Sequence, residues 1–385
     1  MTAPIVAIVG AGIAGSAAAY ALSQRGARVH VFEKFARGHA EGASHGPTRL
    51  IRRAYFEHPD YVPLLDRAYA GWDALEDACS DIVFRRTGLM EAGPAESVLV
   101  SGILRAAKDY NLPLTELSPA DVKAKTPFLN LKSGWVALFE EDGGYLLAEK
   151  ALTAFQLGAA AAGAHFHWST PVKGLHRQAG AMTINAGAMR LSVDRIVIAP
   201  GPWSNSIFAD LELNAPAPIK CAEKAHCWFA AKSLADSRAS APFGVEDETG
   251  QMYYGFPDID GAGVKIGAHY GGADLNEPSD RARAFSSEEN DIVTFARDIA
   301  TGLDAAVLSR AYCLYERSPD GDFIIDRAQE DERISYAVGL SGHGFKFAPL
   351  IGQLLADLAT DATLPPEAKF LSAARFLSPT PPTAR

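Results

Sequence analysis

The first residues able to do chemistry are glycines. Gly10-Ala11-Gly12-Ile13-Ala14-Gly15 matches Gly-x-Gly-x-x-Gly, the pattern in which a strand, a turn and a helix hold a dinucleotide pyrophosphate. Gly10 permits the tight turn, Gly12 lets backbone approach the phosphates, and Gly15 allows helix and strand to pack closely. Ile13 and Ala14 open the helix, whose free N–H groups and dipole favour a phosphate. Glu33 ends the next apolar run; its carboxylate suits a ribose 2′-hydroxyl and would repel a 2′-phosphate. The motif alone leaves FAD and NAD open. Its place at the start of a sequence in which nucleotide-fold elements return late favours FAD.

These residues need a β-α-β unit to position them, and the sequence supplies one. Residues 5–9 form a continuous apolar run, as in a buried parallel strand. Residues 13–25 are small, strong helix formers with Arg25 in the last turn and Gly26 as C-cap. Residues 28–33 read as the second strand. Residues 37–60, rich in Gly, His, Ser and Arg, read as an ordered functional loop. Helices are expected at 61–79, 147–162, 293–303 and 344–359, a strand running into a glycine turn at 191–201, several strands within 217–272, and a frayed tail at 378–385. Nucleotide-fold elements thus recur around strand-rich insertions. The expected architecture is α/β: a discontinuous Rossmann-type FAD-binding domain (1–80, 147–215 and 325–385) with a mixed-sheet α+β substrate domain (81–146 and 216–324).

Composition narrows the function classes. The chain has 385 residues, 36 Lys plus Arg against 46 Asp plus Glu, and a formal net charge of -10. A free nucleic-acid binder usually shows the opposite balance. Cys79, Cys221, Cys227 and Cys313 are scattered, with no Cys-x-x-Cys pair. A disulfide framework, a zinc ribbon and a metal centre are therefore not expected, and a reducing, cytoplasmic setting is. The apolar N-terminal stretch lacks the basic region of a signal peptide, and no run has the length of a membrane span.

Four more clusters combine cations, aromatics and glycines: Ser44-His45-Gly46-Pro47-Thr48-Arg49-Leu50-Ile51-Arg52-Arg53-Ala54-Tyr55; Tyr253-Tyr254-Gly255-Phe256-Pro257 followed by Lys265-Ile266-Gly267-Ala268-His269; Cys313-Leu314-Tyr315 with Phe323-Ile324-Ile325-Asp326; and Ser341-Gly342-His343-Gly344-Phe345-Lys346-Phe347. In this order, with the N-terminal fingerprint, they closely resemble the monomeric sarcosine oxidase and N-methyltryptophan oxidase family of D-amino-acid-oxidase-like FAD-dependent oxidoreductases. The resemblance runs from about Ile5 to about Ala359.

The resemblance implies a role for each cluster. FAD would lie on the fingerprint and on Glu33, Lys34, Ser44, His45, Thr48, Arg49, Gly201, Trp203, Gly342, His343, Gly344, Phe345 and Lys346. Cys313 would form a thioether to the flavin 8α-methyl. Arg52 and Lys346 would clamp a substrate carboxylate, a group that needs paired cations in a dry pocket. Arg49 and Lys265 would flank the flavin ring, with Lys265 promoting oxygen reduction. His269 would face the substrate amine, and Tyr254 and Tyr315 would wall the pocket.

The implied activity is oxidation of a secondary amino acid at its C–N bond to an imine, with O2 reduced to H2O2 by a monomer. Oxidases of cyclic imino acids, fructosyl amino acids or primary amino acids, and a dehydrogenase using another electron acceptor, remain alternatives, as does a flavin-bearing subunit without turnover. Two departures bear on the substrate. Gly244 replaces a bulky pocket residue and opens an acidic stretch to Gly250, and Glu223-Lys224 stands where a basic–amide pair is expected. Both point to a roomier or differently charged pocket and a larger N-methyl or cyclic substrate.

Overall fold

The computed structural model describes residues 3–178, 180–233 and 238–377; the expected frayed tail at 378–385 lies outside them. The apolar run Ile5–Val9 becomes an inner strand of a six-stranded sheet. The order across that sheet is Ile324–Ala328, Asp331–Val338, Arg195–Ile198, Ile5–Val9, Arg28–Phe32, His165–His167. Every pairing is parallel except that between Ile324–Ala328 and Asp331–Val338. Val6, Ala7 and Ile8 are fully buried, because helices cover one face and a three-stranded antiparallel sheet (Val172–Gln178, Ala181–Ala186, Met189–Val193) supplies the core of the other. The helix Ile13–Gln24 turns Ala14, Ala17 and Ala18 inward against the helices Ala148–Ala161 and Ala348–Ala359. Small side chains let these helices approach closely.

The second sheet is mixed and nine-stranded. Its path runs Ala273–Leu275, Lys220–Ala231, Val264–Ala268, Met252–Phe256, Phe243–Glu246, Leu89–Pro94, Trp135–Glu140, Thr115–Glu116, with Leu303–Arg317 also paired to Lys220–Ala231. Strand alternation sorts its residues by face. Cys227, Tyr253, Ile266 and Ala268 pack beneath Ile292 and Phe295 of the helix Ser287–Asp298. Their sequence neighbours His226, Tyr254 and Lys265 point the other way, into the pocket described below. A small antiparallel sheet of Thr48–Ile51, Gly144–Leu147 and Phe84–Arg85 carries Thr48 and Arg49.

The expected α/β architecture is present, with three local corrections. The helix expected at 293–303 is Ser287–Asp298. It starts earlier because Ser286 stands at its N-cap and Glu288 and Glu289 in its first turn, where the dipole favours acids. Leu303 instead begins a strand. The strand expected at 191–201 is split at Asp194, whose carboxylate accepts from Ile5 N (2.8 Å) and separates Met189–Val193 from Arg195–Ile198. The last helix begins at Ala348, with Phe345–Phe347 as a 3-10 turn before it. No helix among the described residues is long and apolar enough to cross a membrane.

Candidate active site

A cavity of about 430 Å³ opens at the C-terminal ends of the parallel strands. Gly10 sits at its base with φ +100°, and a Cβ there would lie 2.3 Å from the Ala199 carbonyl oxygen. Gly12, Ile13 and Ala14 line it, while Gly15 packs behind it, where a Cβ would lie 2.0 Å from Gly10 O. Ser44 Oγ accepts from Ile13 N at 2.9 Å, drawing the 37–60 loop over the helix start. Glu33 accepts from Ala11 N (2.9 Å) and Phe35 N (3.0 Å). Burial pushes its carboxyl up, but hydrogen bonds from His39 and these two amides outweigh that and hold it below the usual range. Lys34 Nζ lies 3.7 Å above the Trp203 ring, beside Gly201. Gly201, Lys34, Ser44, His45, Trp203 and Gly344 all line this cavity.

A second pocket of about 60 Å³ adjoins it, and Arg49, Tyr315, Gly342 and Phe345 wall both. Thr48, Arg52, Tyr254, Lys265, His269, Cys313, His343 and Lys346 complete the small pocket's expected residues. Arg49 is fixed by donating to the carbonyls of Thr48 (2.7 Å), Ala43 (2.8 Å) and His45 (2.8 Å). His45 Nε2 pairs with the Tyr312 carbonyl at 3.0 Å, and burial, then Arg49, lowers its pKa. Lys265 is buried, and burial, then Arg49, pulls its ammonium down to about 7. Burial pushes the Cys313 thiol up, against the opposing pull of Arg49, Lys265 and Lys224.

A second pair of cations, Arg52 and Lys346, also lines the pocket. Arg52 and Lys346 lie 5.1 and 5.0 Å from the centroid of the Tyr55 ring. Arg52 Nη2 donates to both carboxylate oxygens of Glu57 at 2.8 Å. Burial opposes the Arg52 charge, but Glu57, joined by Glu91 when that carboxyl is ionised, more than offsets it. Lys346 Nζ donates to the His343 carbonyl at 3.0 Å, and burial, then Arg52, pulls it down to about 7. Burial brings both His269 and His343 down to about 3, so both imidazoles are neutral. His343 hydrogen-bonds the Tyr55 hydroxyl.

Gly244 is not where the sequence reading put it. It does not wall the pocket; a Cβ there would lie 3.4 Å from Glu91 and from Met252. The acidic stretch after it is structural. Glu246 accepts from Val98 N and Leu99 N at a helix start, Asp247 closes a turn on Thr249 and Gln251, and Glu248 pairs with Lys132 on the surface. Glu223 accepts from Ala282 N and Arg283 N. Lys224 is fully buried and paired with Glu288 and the Tyr270 carbonyl. Neither Glu223 nor Lys224 lines the small pocket. The sequence reading missed Glu57, His226, Met252 and Phe256, which do line it. For His226 a signal existed: a polar residue alternating with Ala225 and Cys227 in a strand faces away from the core.

A glycine-based dinucleotide cavity meeting a small, buried pocket lined by Arg49, Arg52, Lys265 and Lys346 defines a dinucleotide-dependent enzyme acting on a small molecule with an anionic group. Residues 6–358 match the FAD dependent oxidoreductase family, and the chain belongs to it. It is 34% identical to an N-methyl-L-tryptophan oxidase of Salmonella arizonae over 92% of this chain and 94% of that protein. It is 33% identical to one of Citrobacter koseri over 91% and 93%. Among solved structures, it superposes on NikD, an unusual amino acid oxidase essential for nikkomycin biosynthesis, with TM-score 0.85, 22% identity and coverage of 97% and 98%. Glycine oxidase from Geobacillus kaustophilus gives TM-score 0.76, 19% identity and coverage of 97% and 99%.

The residues present fit FAD. Gly10 and Gly12 leave the phosphate turn clear of side chains, and Glu33 lines the cavity at the end of the second strand. Thr48 Oγ1 and Trp203 Nε1 are buried without a hydrogen-bond partner among the described residues, two polar groups that a polar cofactor would satisfy.

Proposed function

We propose that this protein oxidises an N-methyl or related secondary amino acid at its C–N bond, giving an imine and reducing O2 to H2O2. The observation that carries this reading is the pairing of Arg52 and Lys346 on the Tyr55 ring in the small pocket, with Arg49, Tyr315, Gly342 and Phe345 at its junction with the dinucleotide cavity. The names of the sequence relatives support the same substrate class.

Bound FAD supplies a two-electron acceptor that can in turn reduce oxygen. The chain's own residues do the rest. Arg52 and Lys346 receive the substrate carboxylate, for which Glu57 yields the Nη2 edge of Arg52. His269, held neutral by burial, accepts a hydrogen bond from the neutral substrate amine, whose extra proton is lost to water on entry because burial and the nearby cations disfavour an ammonium there. Tyr254, Tyr315 and Phe256 hold the N-alkyl group and keep water out. Lys265 places a cation where negative charge develops on oxygen.

Cys313 attaches the flavin covalently in this reading. Its support is the position of the thiol in the small pocket beside Arg49 and Lys265. The proposal includes the division into a cofactor domain (1–80, 147–215, 325–385) and a substrate domain (81–146, 216–324). It also includes a monomer in a reducing cytoplasm, a setting that suits a sequence with four scattered cysteines and no Cys-x-x-Cys pair.

The test is an anaerobic titration of purified holoenzyme with sarcosine, N-methyltryptophan, pipecolate, proline, a fructosyl amino acid and D-amino acids. Bleaching of the flavin by the N-methyl compounds, followed by peroxide formation in air, is the expected result. Bleaching by none of the secondary amino acids would overturn the reading.

A further inference from the structure

We infer that Glu91 is a positioning residue for carboxylate recognition: it holds Arg52 from the Nε side, outside the pocket, and leaves the Nη2 edge to exchange between Glu57 and the substrate. The inference rests on the proposed carboxylate site.

Two carboxylates meet one guanidinium here, and they differ in freedom. Glu57 lines the pocket and its side chain is 16% exposed. Glu91 is 3% exposed, does not line the pocket and lies in mid-strand between two paired neighbours, Leu138 on one side and Gly244 on the other. Its Oε1 is 3.3 Å from Arg52 Nε. Neither of these two buried atoms has a hydrogen-bond partner among the described residues, so the 3.3 Å approach between them is a charge contact and not a hydrogen bond. An uncompensated polar group at this depth would be costly.

The neighbouring sequence accommodates this contact. Met90 and Ala92 face the hydrophobic core, so alternation turns Glu91 to the opposite face, towards Arg52. At Gly244, directly across the parallel pair, a Cβ would reach ordinary contact with Glu91 Cγ, Glu91 Oε1 and Met252 Cε. Any longer side chain would take the space of the carboxyl. The glycine that departs from the family pattern therefore belongs with Glu91.

The ionisation of Glu91 gives the role a signature. Burial, only partly opposed by Arg52, pushes its carboxyl up to about 8; Glu140 and Glu57 add to the rise and Lys346 opposes it. At pH 7 the carboxyl is mostly neutral and orients Arg52 without cancelling its charge. As pH rises through about 8 it ionises, neutralises Arg52 and weakens carboxylate binding.

The experiment uses holoenzyme and two probes read by flavin absorbance, acetate and N-methyltryptophan, with kcat and KM beside them. At pH 7, Glu91→Leu is expected to raise KM and the acetate Kd about tenfold with kcat within twofold, and Glu91→Gln to restore most of the affinity. The ratio of the wild-type to the Gln acetate Kd is expected to rise as pH passes 8. Unchanged KM and Kd in Glu91→Leu, a Gln variant as weak as Leu, or a flat ratio would each overturn the inference. Should Glu91→Leu fail to fold, Gly244→Val displaces the same carboxyl and is expected to raise KM alone; an unchanged KM there counts against it. Failure of the wild type itself to bind acetate or N-methyltryptophan is a different result, which removes the carboxylate site on which the inference rests.

Discussion

The hydroxyl oxygens of Tyr254 and Tyr315 lie 3.3 Å apart, and His226 Nε2 is 2.8 Å from the Tyr254 hydroxyl. Three strands of the mixed sheet thus meet in one buried polar chain that forms part of the pocket wall. Tyr254→Phe removes the central member and leaves His226 and Tyr315 short of a partner. The expected cost is about 1–3 kcal/mol of stability, with KM for the amino acid raised more than kcat is lowered. Denaturant unfolding of the holoenzyme measures the first and steady-state kinetics the second. Unchanged stability would show that water replaces the lost hydroxyl.

Cys313 offers a prediction independent of turnover. Acid precipitation of the wild-type protein is expected to leave the yellow colour in the pellet, and Cys313→Ser to release it to the supernatant. Colour released from both proteins would refute the thioether and leave the FAD cavity unaffected.

Lys265 should separate the two halves of catalysis. Its ammonium is buried and forms no ion pair with a carboxylate among the described residues, with the Phe256 ring 5.2 Å away. Lys265→Met is expected to slow oxidation of the reduced flavin by O2 by about 10²–10³, the range for losing one preorganised electrostatic group. Anaerobic reduction by substrate should change only a few fold. Stopped-flow measurement of both half-reactions checks this, and equal slowing of the two would assign Lys265 to substrate binding instead.

What could be read from the sequence was what local geometry demands. Gly10 and Gly15 are dictated by a turn and a close approach within their own β-α-β unit, so the motif located them. Tyr254 and Lys265 were reached only through the family resemblance, because nothing local says which strands lie beside theirs. Glu91 and Gly244 are neighbours only because Leu89–Pro94 pairs in parallel with Phe243–Glu246. That long-range register has no local signature, so Gly244 read as a pocket residue and Glu91 as nothing. Glu57 was missed for a similar reason: its meaning comes from Arg52, and a carboxylate in a loop usually faces water. The acidic stretch 246–248 misled because capping, turn closure and a surface ion pair look the same in sequence as a charged pocket.

Acid stability should report the buried histidines. Burial holds His269 and His343 near 3 and His226 well below its ordinary value. Below about pH 6.5 the unfolded chain takes up protons that these folded imidazoles refuse. Their contribution to stability is therefore intact above 6.5 and falls as pH drops towards 3, by about 1.4 kcal/mol per pH unit for each group. Buried carboxyls act in the opposite direction, Glu140, Glu288 and Asp322 among them. Burial raises Glu91 to about 8 and Glu316 to about 7, so between about pH 4.5 and those values the folded state holds more protons than the unfolded one. The wild-type profile sums both, and the informative quantity is a difference between proteins. His269→Asn removes one refusing imidazole and leaves Glu91 and Glu316 in place. Its loss of stability between pH 6.5 and 4.5, followed by urea unfolding of the holoenzyme, is expected to be smaller than that of the wild type by about 2–3 kcal/mol. Parallel profiles would mean that His269 takes up its proton in the folded state, and with it that the imidazole facing the substrate amine is charged at low pH.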